Sequence, residues 1–193
     1  MKTIIFVTGN PYKFQIAQKV FEGKGIKIEQ QKIETPEIQS ADVREIAAFS
    51  AKWAAEKLKK PVALTDAGYY IKALNGFPGP FIKYINNWLT SNDLLKIMEG
   101  REDRTVEVLA CLAYCEPGEE PVIFESKISG KIAEKATKTD KPGSTPINEI
   151  FIPEGFDKVE TEIPREEMVK FWAKVENYWE ELANLLKNNE YQK

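Results

Sequence analysis

The apolar positions alternate between two periods along the chain. Lys2 to Val7 is a β-branched run that reads as a strand, and Pro11 opens a helical spacing through Val20 and Phe21. Ile26 to Ile33 reads as a second strand, followed by the turn-rich ETPEIQS. Asp42 then stands as a cap for an alanine-rich helix to Leu58, in which Ile46, Phe49, Trp53 and Leu58 fall on the inward side by spacing. Pro61 to Leu64 is expected to be a short strand delivering Thr65, Asp66, Ala67 and Gly68. Asp66 then sits at a strand end, and Tyr69 to Lys72 forms another short strand.

Beyond the turn NGFPGP, Pro80 can start a helix through Lys83 and Trp88, and Asn92 to Met98 reads as a helix stopping at Gly100. Arg104 to Tyr114 is apolar on both faces, which predicts a strand inside its sheet. Val122 to Glu125 and Lys127 to Glu134 read as two strands, KATKTDKPGST as a polar loop, and Met168, Phe171, Trp172, Val175, Trp179, Leu182 and Leu186 as the stripe of one long terminal helix. Helices and strands alternate early and strands dominate later, so the class is mixed α/β. No repeat or linker separates the halves, which leaves one domain or two packed lobes open.

Composition narrows the chemistry. The 193 residues contain no histidine, which removes the commonest general base and every Ser/His or Cys/His pairing. A formal net charge of −3 leaves no general basic field for a nucleic-acid backbone or an anionic membrane. Cys111 and Cys115, four apart on a strand, have Cα atoms about 13 Å from each other, too far for a disulfide, and read as core packing. No apolar run reaches membrane-spanning length and the N-terminal one is too short for a signal peptide, so a reducing, cytoplasmic compartment is expected.

Three groups of residues can carry chemistry. Thr8, Gly9, Asn10 and Lys13 close a strand and open a helix, a place where free backbone N–H groups favour phosphate; a plain helix cap with a surface lysine has the same spacing. Glu37 and Asp66 are carboxylates after strands, suited to Mg²⁺ completed by substrate phosphate or to orienting a water. Lys83, behind a rigid Pro-Gly-Pro turn, can neutralise charge on phosphates or be an ordinary solvated lysine.

These segments, in order, resemble the inosine triphosphate pyrophosphatase family, which hydrolyses non-canonical purine nucleoside triphosphates to monophosphate and pyrophosphate. TGNPYK is similar to its opening TxNxxK, KIETPEIQS to its acidic loop, DVREIAAFSAKWA to its second helix, and RTVEVLACLAY with SGKI to its central strands. PGPFIKY is the most specific match, to PGPYIKW. The resemblance implies residues 1–193 as a single domain of two mixed α/β lobes around a central cleft with a long mixed sheet, and a possible homodimer. It also implies Mg²⁺ held by Glu37 and Asp66, phosphates held by Thr8, Asn10, Lys13 and Lys83, and catalysis resting on Asp66 and Lys83.

The departures fall on other parts. Thr65 stands where a second acid precedes Asp66, and Ser50 where a lysine is common. Thr145, Ile147, Asn148 and Glu149 occupy the family's aromatic-rich FGWDP segment, and Trp172, Ala173 and Lys174 its SHR. Phosphate and metal elements are thus kept while base-reading elements are replaced together. Two functions follow: a nucleoside triphosphate pyrophosphatase with altered base selection, or a paralogue that binds nucleotide or another phosphorylated small molecule, or serves a structural role. Trp172, Tyr178 and Trp179 can stack a base from a new direction or pack the terminal helix.

Overall fold

The structure is a computed structural model and describes residues 2–190, with side chains to 187. Among these residues it contains seven strands and six α-helices. In chain order they are β1 (Lys2–Val7), α1 (Pro11–Phe21), β2 (Ile26–Gln31), α2 (Val43–Leu58), β3 (Val62–Ile71), β4 (Pro78–Gly79), α3 (Ile82–Trp88) and α4 (Ser91–Ile97). β5 (Thr105–Cys115), β6 (Val122–Ile132), β7 (Phe151–Pro153), α5 (Arg165–Val175) and α6 (Tyr178–Glu190) complete the set. One sheet has the order β2-β1-β3-β5-β6-β7, with β4 paired to β3 off that path. β1 is parallel to β2 and β3, whereas β4 and β7 pair antiparallel. The expected mixed α/β class is therefore observed, and β5 lies inside the sheet as its two apolar faces predict.

Contacts divide the chain into two units: Met1–Asp66, Ala110–Ser126 and Val169–Lys193 form one, and Ala67–Leu109 with Lys127–Met168 the other. In the first, Ile4 to Val7 are buried, and Trp179 (1% exposed) presents its ring edge-on to Phe6 at 4.9 Å and Phe21 at 5.7 Å between centroids. In the second, Phe151 packs edge-on against Tyr69 at 5.4 Å. It also lies over Gly130, where a Cβ would collide with the Phe151 ring and stand 2.6 Å from the Ile152 carbonyl. A side chain is therefore barred from that position of β6.

Three elements differ from the sequence expectation. β3 runs unbroken from Val62 to Ile71, so Asp66 lies within a strand and not at its end. β6 likewise runs through Ser126. Polar residues interrupt the apolar alternation at both places, yet the ladder is made by backbone groups and continues. The terminal stripe is split: α5 stops at Val175, and the Asn177 carbonyl accepts N–H bonds from Glu180 (2.9 Å) and Glu181 (3.2 Å) to start α6.

α2 buries Ile46 as expected, but its alanines and not Phe49 complete the inward face. Asp42 caps it as read, accepting the Arg44 N–H at 2.9 Å. Its buried residues, however, are Val43, Ile46, Ala47, Ser50, Ala51, Ala54 and Ala55, while Phe49 is 43% exposed. Small residues let the helix approach closely, and a phenylalanine does not fit that gap.

Candidate active site

Of the residues singled out in the sequence, Thr8, Asn10, Lys13, Glu37 and Asp66 belong to the first unit. β1 is buried from Ile4 to Val7, and the chain emerges at Thr8. The Thr8 N–H donates to the Gln31 carbonyl at 3.2 Å, and the Gln30 side chain donates to the Thr8 carbonyl at 3.0 Å, so the end of β2 holds this residue from both sides. Thr8 Oγ1 then accepts the Asn10 N–H at 3.1 Å, which turns the chain. Asn10 Oδ1 accepts the Tyr12 N–H at 2.8 Å, and Pro11, which has no N–H to lose, fills the first helical position. The result is a small-residue loop leading into an eleven-residue helix.

Lys13 turns back from the first turn of α1. Its Nζ donates to the Thr65 carbonyl at 3.3 Å, the residue directly before Asp66 on β3. The spacing of TGNPYK thus brings a helix N-terminus, a lysine ammonium and the strand carrying Asp66 together. Asp66 is half-buried, at the point where β3 leaves its fully buried run Val62–Leu64. The charge of Asp66 is felt on β5: the Cys111 thiol is pushed up to about 12, mainly by burial, then by the carboxylates of Glu125 and Asp66. Both cysteines are free thiols and buried, in keeping with packing.

Glu37 lies exposed in the loop between β2 and α2. The preceding carbonyl, of Pro36, accepts a hydrogen bond from Ser50 Oγ on α2 at 3.3 Å, and at the far end of the loop Ser40 Oγ accepts the Asp42 N–H at 3.0 Å. Among the described residues no group of three or more His, Cys, Asp and Glu is arranged to hold a metal. Glu37 and Asp66 nevertheless offer the oxygen donors that a hard cation uses when substrate phosphates complete its shell. Lys83 belongs to the second unit, exposed on the side of α3 away from buried Ile82 and Ile85.

The segments with substituted motifs are tied into their surroundings. Thr145 donates through N–H and Oγ1 to Asn148 Oδ1 at 2.9 and 2.7 Å, and Asn148 Nδ2 donates to Glu160 at 2.9 Å. Ile147 is 1% exposed. Trp172 and Trp179 are buried, which favours packing over base stacking. Sequence reasoning missed a further triad in the second unit: Ser91 donates to Glu149 Oε2 at 2.6 Å, and Lys138 Nζ lies 3.1 Å from the same oxygen and 2.7 Å from Ser91 Oγ. The one available signal was a glutamate in place of the family proline at position 149.

Comparison with known proteins places this geometry in context. A family model described as the Ham1 family matches residues 4–174. A dITP/XTP pyrophosphatase of Methanopyrus kandleri is 39% identical over 96% of this chain and 97% of its own length. One from Methanosarcina acetivorans is 42% identical over 77% of this chain and 81% of its own. Among solved structures, a HAM1 protein from Coxiella burnetii superposes with a TM-score of 0.78 at 22% identity, covering 97% of this chain and all (100%) of that one, a likeness of fold.

Proposed function

The chain belongs to the Ham1 family, and from that premise we propose that it hydrolyses non-canonical purine nucleoside triphosphates, of the dITP and XTP class, to monophosphate and pyrophosphate. One observation carries the reading: Lys13 reaches from the Asn10-capped helix to the Thr65 carbonyl, beside Asp66. That bond supports the reading, because a triphosphate needs anion-binding donors and a carboxylate close to one another.

In this mechanism Thr8, Asn10 and Lys13 hold the triphosphate, and Lys83 is assigned to the phosphates on the resemblance. Asp66 orients a water and takes its proton as the oxygen attacks the α-phosphorus. The bond to the bridging oxygen breaks, and pyrophosphate leaves with that oxygen. Glu37 and Asp66 are the residues that would hold Mg²⁺, which when bound neutralises charge on the phosphate oxygens. The donor set fits that ion, which takes one or two carboxylates with water and phosphate.

The test is pyrophosphate release from a panel of dITP, XTP, ITP, dUTP and the normal triphosphates, with Mg²⁺. Asp66→Asn is expected to lower turnover by at least about 100-fold. No release from any substrate overturns the reading. Thr65, where a second acid is usual, favours one alternative: a paralogue that binds nucleotide or another phosphorylated small molecule, or is structural. Calorimetric binding without turnover would select it.

The same proposal treats residues 1–193 as one functional domain, since the family match runs through segments of both units. It takes the active form as a homodimer. Phe81 (43%), Tyr84 (41%) and Trp88 (73%) are exposed along one side of α3, and an aromatic stripe of that kind fits a second copy. The expected compartment is the cytoplasm, consistent with two free thiols. Neither nucleic acid nor membrane is a partner in this reading, in which a net charge of −3 leaves no general basic field for either.

A further inference from the structure

The buried face of α2 contains one polar group in a row of alanines. Ser50 is 2% exposed, and Ala47, Ala51 and Ala54 on the same face are fully covered. A hydroxyl in such a place is unfavourable unless it is hydrogen-bonded, and that of Ser50 donates to the Pro36 carbonyl at 3.3 Å, fourteen residues away in sequence. That carbonyl belongs to the peptide unit whose nitrogen is that of Glu37. The unit is planar, so a bond on its oxygen sets the plane from which the Glu37 Cα departs. Two further restraints act at the same point: the Pro36 ring locks φ, and Thr35, preceding a proline, is confined to extended geometry.

From this we infer that Ser50 is a positioning residue for the Glu37 carboxylate, holding the loop between β2 and α2 in the conformation that presents Glu37 to a divalent cation. The inference rests on the proposed reading of Glu37 as a metal ligand. It assigns a task to the position where the family commonly carries a lysine: the serine acts on a ligand through the backbone and brings no charge of its own. Ser50 does not touch substrate. Because it acts through Glu37, its effect vanishes when the Glu37 carboxylate is removed.

The experiment is Mn²⁺ binding, followed by electron paramagnetic resonance in the presence of a non-hydrolysable α,β-imido analogue of dITP. It uses the full chain as wild type, Ser50→Ala, Glu37→Gln and the double variant. Ser50→Ala places one more alanine on an alanine face, so the fold is retained, and circular dichroism checks this. The expected result is about tenfold weaker Mn²⁺ binding for Ser50→Ala, the range known for residues that orient metal ligands, with no added loss in the Glu37→Gln background. Ser50→Thr, which keeps the hydroxyl, is expected to restore most of the affinity. Unchanged Mn²⁺ affinity in Ser50→Ala, or an equal loss in the Glu37→Gln background, overturns the inference while leaving the metal site standing. Absence of Mn²⁺ binding by the wild type instead overturns the reading of Glu37 and Asp66 on which it stands.

Discussion

A carboxylate can be buried and still held ionised if its partners are close enough, and Glu149 is such a case. Burial works against its charge, but the hydrogen bonds from Ser91 and Lys138 outweigh it and hold the carboxyl below the usual value. Its side chain is only 12% exposed, while that of Lys138 is 58% exposed. A carboxyl whose folded pKa is depressed contributes stability in full above its unfolded value, about 4.3, and loses it as the pH falls through the folded one. Glu149→Gln is therefore expected to lower stability by about 1.5–3 kcal/mol at pH 7. In urea titrations the gap from wild type should close below about pH 4, and a gap that persists there would place the effect elsewhere. The triad was not legible in the sequence because its members are 58 and 47 residues apart. Thr8, Asn10 and Lys13 were legible because a strand, a loop and a helix start follow one another within six residues. Lys13→Met, which loses the ammonium that reaches Thr65, is expected to lower kcat/KM for a triphosphate by about 10²-fold or more with little change in the melting temperature.

At the scale of elements, periodicity located the helices and strands well and judged their faces less well. Phe49 and Trp53 fall on the inward side of α2 by spacing, yet the face that packs is the alanine row. Spacing counts hydrophobic residues but does not register how near the neighbouring layer lies, and that distance decides whether an alanine or an aromatic faces it. Two substitutions separate these views. Phe49→Ala should change stability by no more than about 0.5 kcal/mol, since the ring is 43% exposed. Ala51→Leu, which forces three additional heavy atoms into a covered gap, should cost about 1–3 kcal/mol. Denaturant midpoints at a common slope read both. The same limit explains the strands: Asp66 and Ser126 look like breaks because their side chains are polar, but β3 and β6 carry them within continuous ladders. Ser126 even directs its hydroxyl to Asn177 at 2.5 Å, at the start of α6.

For the molecule as a whole, the residues proposed to handle phosphate match the family's motifs, whereas those aligned with its base-reading motifs do not. With no histidine anywhere, the family's SHR contact to the base cannot be made. Thr145 and Asn148 bond each other, and Asn148 bonds Glu160. These side chains are spent within the second unit, and Ile147 is covered. A site that recognises a base through dedicated hydrogen-bond partners rejects the wrong base by about 10⁴–10⁵, because buried polar groups are then left unpaired, whereas one relying on shape and apolar contact discriminates only about 10–100-fold. On the proposed reading, with Thr145 and Asn148 bonded within their own segment, the site is of the second kind. The expected ratio of kcat/KM for dITP over dATP is accordingly below about 100, while both substrates share the dependence on Asp66 and Lys13. Steady-state kinetics on matched deoxynucleoside triphosphates measure it. A ratio above 10³ would mean that this chain reads the base with donors other than those the family uses, and the search for them would begin with polar side chains that the Thr145–Asn148–Glu160 network leaves uncommitted.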